Sequence, residues 1–235
     1  MTQNNFPWTT EKEFYDLYSN KIFSSTKFYH MGFIGSSDED FLKYIAKRAK
    51  LNTDSRVVDL GCGSGYLVNE LQKHCKIMGI SNSEKCIEQC KINYPDSEFV
   101  VSNIEDFQIG NLTHCLSLES IGSTNRENAF KNINKNLVSE GLLYIKDLCL
   151  YPGMNKMVSE NKTAFEEYWK YYLISVEDMI RLGYRTGFSL IDFKRIFKVN
   201  MQYVKQILKL HEIEFIEPYP HEDYLIPAEF LFMKN

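Results

Sequence analysis

Long apolar runs, an excess of basic charge and paired cysteines are all missing from this 235-residue chain. No stretch approaches the ~18 apolar residues that a membrane-spanning helix needs. The N-terminal Met1-Thr2-Gln3-Asn4-Asn5 has no charged segment followed by an apolar one. A cytoplasmic protein without a membrane span is therefore expected. The net charge of −4 and pI near 5.8 argue against nucleic acid as a partner, because such proteins carry a broad basic footprint. Lys43, Lys47, Arg48 and Lys50 form only a short basic cluster, opposite Phe41, Leu42, Ile45 and Ala46 on one helix, and read as a solvated face. The six cysteines, at 62, 75, 86, 90, 115 and 149, include no Cys-x-x-Cys pair and read as buried reduced thiols, neither a disulfide framework nor a zinc site. Internal repeats and low-complexity segments are absent as well. With 44% hydrophobic and 25% charged residues, one soluble domain over residues 1–235 is expected.

What is present concentrates at residues 55–66, Ser-Arg-Val-Val-Asp-Leu-Gly-Cys-Gly-Ser-Gly-Tyr. Val57, Val58 and Leu60 suit a strand buried on both faces, and Gly61, Gly63 and Gly65 allow a tight turn with close approach to a ligand. Residues 66–75 then read as a helix, with Leu67, Val68 and Leu71 on one side. Strand, glycine turn and helix open a nucleotide-binding βαβ unit, whereas an isolated glycine triplet would mean only a tight turn. The position of the acid separates the possible ligands. A dinucleotide site has its ribose-binding acid about 20 residues downstream, at the end of the second strand. Here the second strand, 76–80, runs into Ser81-Asn82-Ser83 with no acid before Glu84, while Asp59 precedes the first glycine. A carboxylate there repels a pyrophosphate and suits a cationic, amino-acid-bearing cofactor such as S-adenosylmethionine.

At these residues the chain resembles the class I S-adenosylmethionine-dependent methyltransferases, whose first motif is a strand followed by Asp-x-Gly-x-Gly-x-Gly. The likeness extends over about residues 14–148. It implies a Rossmann-like α/β fold, a doubly wound, seven-stranded, mostly parallel sheet with the cofactor above the strand ends. Asp59, Gly61, Gly63 and Gly65 would then line the methionine end of the cofactor. The stretch Gly79-Ile80-Ser81-Asn82-Ser83-Glu84-Lys85-Cys86 is similar to the Gly-apolar-Thr-x-Ser, then Gln, of one group of relatives, with Cys86 in place of the Gln. That group holds cyclopropane fatty-acid synthases, tocopherol-type, glycine and sarcosine methyltransferases, and prenyl-diphosphate C-methyltransferases. Tyr15-Asp16 and His30-Met31-Gly32-Phe33 also look like its upstream segments. The resemblance assigns Ser81 and Asn82 to the ribose, Asn103 to the adenine amino group, Ile104 to the adenine ring and Ser117 to the cofactor set. Asn103 can equally cap an ordinary turn. Glu119, directly after an apolar strand, would lie beside the reacting centre, with a surface or helix-capping carboxylate as the plainer alternative. The Glu119-Ser120 pair looks most like the prenyl-diphosphate and tocopherol enzymes.

The remaining elements alternate as a doubly wound sheet requires. Helices are expected at 37–51, 83–94 and 125–138, the last with Ala129, Ile133 and Leu137 at i, i+4 and i+8, and strands at 98–101, 114–118 and 142–145. Residues 149–188 are tyrosine-rich and read as a substrate-cap insertion, with residues 1–35 as an N-terminal lid; packing into a small accessory core is the alternative. Tyr29, Tyr168, Tyr172 and Tyr184 are the substrate-contacting candidates. A long helix at 190–211 and an antiparallel pair, 213–217 with 224–233, are expected to close the fold. His221-Glu222-Asp223, between Pro220 and Pro227, reads as a solvated loop, so no metal site is expected unless a diphosphate substrate brings Mg²⁺.

Methyl transfer from a sulfonium is chiefly a matter of alignment, which can supply ~7–11 kcal/mol of the barrier. An alkene acceptor would pass through a carbocation, stabilised by aromatic faces until a carboxylate removes a proton. Glu119 is the candidate base for an apolar, terpenoid-like carbon, and His30 or a tyrosine could assist with an amine or hydroxyl. N- or O-methyl transfer, or cofactor binding without turnover, are the alternatives. The expected partner is a small molecule, and a homodimer is allowed.

Overall fold

The computed structural model describes residues 38–150, 166, 172–195 and 225–235. Tyr15, Asp16, Tyr29, His30, Tyr168, residues 196–211 and 213–217, and the His221-Glu222-Asp223 cluster lie outside these.

The described chain runs α1 (Asp38–Arg48), β1 (Arg56–Leu60), α2 (Tyr66–Leu71), β2 (Lys76–Ser81), α3 (Glu84–Asn93), β3 (Glu98–Val101), β4 (Leu112–Leu118), a 3₁₀ turn (Ile121–Ser123), α4 (Arg126–Asn136), β5 (Leu137–Leu150), β6 (Ile174–Ser175), α5 (Val176–Arg185), β7 (Phe188–Arg195) and β8 (Leu225–Lys234). One sheet orders the strands β3-β2-β1-β4-β5-β8-β7, with the two-residue β6 beside β5. β1 to β5 are parallel, and β8 runs antiparallel to both β5 and β7. The chain moves outward from β1 to β2 and β3, then returns to β4 on the other side of β1. That reversal leaves a crevice above the carboxyl ends of β1 and β4, where open α/β sheets hold ligands.

Strand alternation divides the core in two. Val58, Cys115 and Ile145 face one side with Phe130 and Ile133 of α4 and Met179 of α5, and Val57, Leu116 and Tyr144 face the other with Phe41, Ile45, Leu67 and Ile87. Two crossover helices start at side-chain caps, Ser83 Oγ accepting from Cys86 N and Asn125 Oδ1 from Asn128 N, each at 3.2 Å.

Several elements differ from the sequence reading. α2 stops at Leu71, so 72–75 turn into β2. β5 extends over fourteen residues because β8 pairs with it from Leu142 to Leu150. Residues 190–195, the expected start of the helix at 190–211, belong instead to strand β7. Phe188 packs edge-on to Phe130 and Phe232, with ring centroids 5.8 and 6.3 Å apart. Among the described residues β8 pairs antiparallel with β7, and 213–217, its expected partner, lie outside them. The cap expected at 149–188 gives way from Ile174 onward to β6 and α5, which buries Val176, Met179 and Leu182 under the sheet. Arg48 is not a solvated charge: its Nε donates to the fully buried Glu229 at 2.7 Å and Nη1 to Asp192 at 2.5 Å, while Tyr44 donates to Glu229 at 2.8 Å. This network fastens α1 to the β7–β8 edge. All six cysteines are buried and outside any disulfide, and no helix among the described residues is long and apolar enough to cross a membrane.

Candidate active site

The loop after β1 is bent by three glycines in the left-handed region, Gly61 (φ 75°), Gly63 (φ 49°) and Gly65 (φ 77°). Gly61 and Cys62 both donate to the Ile80 carbonyl at 2.9 Å, strapping the loop to the end of β2. Space excludes a side chain independently of φ. A Cβ on Gly61 would stand 2.5 Å from Ser120 Cβ, and one on Gly65 2.7 Å from Phe99 Cζ. Gly61→Ala, strained in φ and overpacked against Ser120, is expected to lower stability by about 1–3 kcal/mol, measured as a fall in urea midpoint with unchanged m-value.

Beneath this loop Asp59 is 2% exposed, and its Oδ2 has no hydrogen-bond partner among the described residues. Burial without a counter-charge pushes its carboxyl up to about 7. An unpaired carboxylate at the mouth of a glycine loop is a poor neighbour for a phosphate and a fitting one for an ammonium. The orphaned oxygen and the side-chain-free cradle together fit the amino-acid end of S-adenosylmethionine.

The other sequence candidates fall into distinct settings. Ser81 ends β2 at the crevice and Asn82 follows it, with Ser81 Oγ accepting from Ser83 N at 3.2 Å. Asn103 follows β3 with its side chain exposed, its carbonyl accepting from Phe107 N at 3.1 Å. Ile104 packs into the core with Phe107 and Leu112. Ser117 is fully buried, its hydroxyl bonded to Ser120 Oγ at 2.8 Å, and Ser120 in turn donates to the Leu60 carbonyl at 2.5 Å. These serines tie the end of β4 to the end of β1, so the hydroxyl of Ser117 is spent on the scaffold.

Glu119 caps β4 with φ 57°, a costly conformation for a non-glycine residue. Its N–H donates to the Lys146 carbonyl at 2.8 Å, and its Oε1 accepts from Lys146 Nζ at 2.5 Å. Lys146 is 2% exposed while the Glu119 side chain is 22% exposed, so the carboxylate alone reaches the crevice. Tyr172 lies above the same turn, donating its N–H to the Gly122 carbonyl at 2.9 Å. Tyr184 does not join them. α5 descends from Ser175, beside Leu150 at the carboxyl end of β5, toward Phe188 at the opposite end, and Tyr184 sits in its last turn.

Lys146 and Asp147 escaped the sequence reading, and Ser120 entered it only as the second member of the Glu119-Ser120 pair. Asp147, just past the last β5 residue paired with β4, is 1% exposed, its Oδ2 has no hydrogen-bond partner among the described residues, and burial raises its carboxyl to about 7. The signal was available, since Lys146-Asp147 follows the apolar run 142–145 as Glu119 follows 115–118.

A doubly wound sheet with an unpaired carboxylate under a glycine loop at its switch point defines the class, a Rossmann-like domain built for a cationic nucleoside cofactor. The family described as methyltransferase domain matches residues 51–209, and the chain belongs to that family. Carboxy-S-adenosyl-L-methionine synthase of Shewanella sediminis (strain HAW-EB3) is 27% identical over 111 residues, 41% of this chain and 46% of that protein. Cyclopropane-fatty-acyl-phospholipid synthase of Escherichia coli (strain K12) is 24% identical over 177 residues, 66% of this chain and 46% of that protein. The chain thus spans about half the length of these relatives. Among solved structures, the (4+2)-cyclase SpnF superposes with a TM-score of 0.76 at 14% identity, over 96% of each chain. Geranyl diphosphate C-methyltransferase from Streptomyces coelicolor A3(2), in complex with Mg²⁺, geranyl diphosphate and S-adenosyl-L-homocysteine, gives 0.69 at 14% identity, over 84% of this chain and 78% of that one.

Proposed function

We propose that the protein transfers the methyl group of S-adenosylmethionine to a small molecule, by C-methylation of a prenyl diphosphate or a similar apolar acceptor. The observation that carries this reading is the orphaned carboxylate of Asp59 beneath the glycine loop, with the Glu119 carboxylate one strand away at the end of β4. When bound, the sulfonium supplies an electrophilic methyl group. Asp59 would pair with the ammonium, Gly61, Gly63 and Gly65 would let the backbone close on the methionine end, Ser81 and Asn82 would meet the ribose, and Asn103 the adenine. Ile104 would reach the ring only with the edge its packing leaves free. Glu119, held by Lys146, would take the proton that an alkene acceptor must lose after attack, a role worth ~10²–10⁴-fold in rate. Tyr172 would border the acceptor. Mg²⁺ would belong to a diphosphate substrate and be supplied with it.

The structural neighbour bound to geranyl diphosphate and the cyclopropane synthase relative favour a carbon acceptor. Because one fold carries many chemistries, amines and phenols remain the second class to test. The deciding experiment is calorimetry with S-adenosylmethionine, followed by incubation with prenyl diphosphates, amines and phenols and mass detection of methylated product. A saturable cofactor isotherm and a methylated prenyl product are expected. Product from amines or phenols alone would move the reading to N- or O-methyl transfer, and no cofactor binding would overturn it.

A further inference from the structure

Arg126, the first residue of α4, stands beside the crevice with an idle guanidinium edge. Its Nε and Nη2 are hidden from solvent and have no hydrogen-bond partner among the described residues. Asp147 is the opposite charge that acts on it most strongly, yet no ion pair joins the two, and Asp147 Oδ2 is unpartnered in turn. Glu166, the other carboxylate acting on Arg126, is engaged by Leu173 N–H at 2.7 Å. Burying two such groups without bonds costs about 1–3 kcal/mol each, and more where charge is involved.

The identity of the two idle nitrogens points to a ligand. Nε–H and Nη2–H project in parallel from one edge of a guanidinium, and that edge forms the two-pronged grip on carboxylate and phosphate oxygens. Lysine could not present it. Asp147 belongs to the same face of β5 as Ile145 and Cys149, the face that α4 covers. In its protonated form it would donate to one oxygen of an anion held by Arg126, leaving the trio electrically neutral where that anion carries a single charge. On its outer side Arg126 lines a surface cleft of ≈540 Å³ with Ile174, Leu182 and Tyr184 and with four further charged side chains, Arg181 and Arg185 among them.

We propose that Arg126, with Asp147, is an oxyanion subsite that selects acceptors bearing a carboxylate or a phosphate group. This rests on the methyl-transfer reading for the acceptor's place at the ends of β4 and β5, and it narrows the acceptor to an anionic one. Arg126 is a specificity-determining residue here, not a catalytic one.

The test is calorimetry on protein saturated with S-adenosylhomocysteine, titrated with three probes sharing one tail: geranyl diphosphate with Mg²⁺, geranate and geraniol. At least one anion is expected to bind tenfold or more tightly than geraniol, and which one separates phosphate from carboxylate as the source. Arg126→Gln should erase that advantage while leaving S-adenosylhomocysteine affinity within twofold. Arg126→Lys, which keeps the charge and loses the parallel edge, should recover no more than a third of it and guards against a folding artefact. Equal binding of all three probes, binding of none, or an anion preference that survives Arg126→Gln would overturn the subsite. Cofactor titration is read separately. If the wild type does not bind S-adenosylhomocysteine, the methyl-transfer reading fails, and the anion titration on unloaded protein still decides the subsite.

Discussion

Asp59→Asn is expected to weaken S-adenosylmethionine binding about 100-fold while making the cofactor-free protein more stable. The two effects have one cause. Asp59 is buried with an unpaired oxygen, and its carboxyl is raised from 3.8 to about 7. Such a group is neutral in both folded and unfolded chains below about pH 4, and its contribution to stability is then fully present. Between about pH 4 and 7 the unfolded carboxyl ionises while the folded one does not, so stability is lost as pH rises, by about 4 kcal/mol in total above pH 7. Asp147, raised to about 7 by the same desolvation, adds to the slope over the same window. An asparagine of equal size carries no charge to desolvate, so scanning calorimetry at pH 8 should show a higher Tm without cofactor. Affinity moves in the opposite sense. Truncating one partner of a buried charge pair costs about 2–5 kcal/mol of binding, and 100-fold lies at the lower end of that range. Below pH 7 Asp59 takes up a proton and the ammonium loses its partner, so wild-type affinity should fall by up to tenfold per pH unit, while that of Asp59→Asn stays flat. A variant that binds the cofactor within threefold of wild type, or a wild-type affinity constant between pH 5.5 and 8, would remove Asp59 from the site.

Where the sequence reading held, the determinants were local. The β1 strand, its glycine turn, the starts of the helices at Ser83 and Asn125 and the bounds of β3 depend on residues within a few positions of one another. Where it failed, the partner lay far along the chain. β7 is a strand because β8, beginning thirty residues after its end, supplies the hydrogen bonds a helix would have made for itself. Arg48 shares its helix with exposed lysines, and only Glu229, 181 residues away, turns it into a buried ion pair. The candidate site divides the same way. Asp59 and the glycines were legible from spacing, whereas the diversion of Ser117 to Ser120 and the pairing of Glu119 with Lys146 are made by neighbouring strands whose register the sequence does not display.

Glu119→Gln is expected to lower kcat by about 100-fold or more on whichever acceptor the product screen identifies, at the low end of what a lost general base costs. The same change also leaves Lys146 buried without its counter-charge. Breaking a fully buried pair costs about 3–5 kcal/mol, and because Glu119 is partly exposed roughly 1–3 kcal/mol is expected here. Activity and stability therefore fall together, and a single variant cannot separate a base from a strut. Lys146→Met in the Glu119→Gln background removes the stranded ammonium and replaces it with an apolar side chain of similar length, so the urea midpoint should return toward wild type. A general base is still absent, and kcat should stay low while cofactor affinity remains within twofold of wild type. If kcat recovers with the midpoint, Glu119 serves the protein only by covering Lys146, and the proton must leave the acceptor for another group. If Glu119→Gln alone keeps kcat within threefold of wild type, the carboxylate takes no part in the reaction. The strained φ of Glu119 favours a kcat that stays low after the midpoint recovers, since a residue needed only to neutralise Lys146 could do so without holding its carboxylate at the carboxyl end of β4 in a conformation that costs about 1 kcal/mol or more.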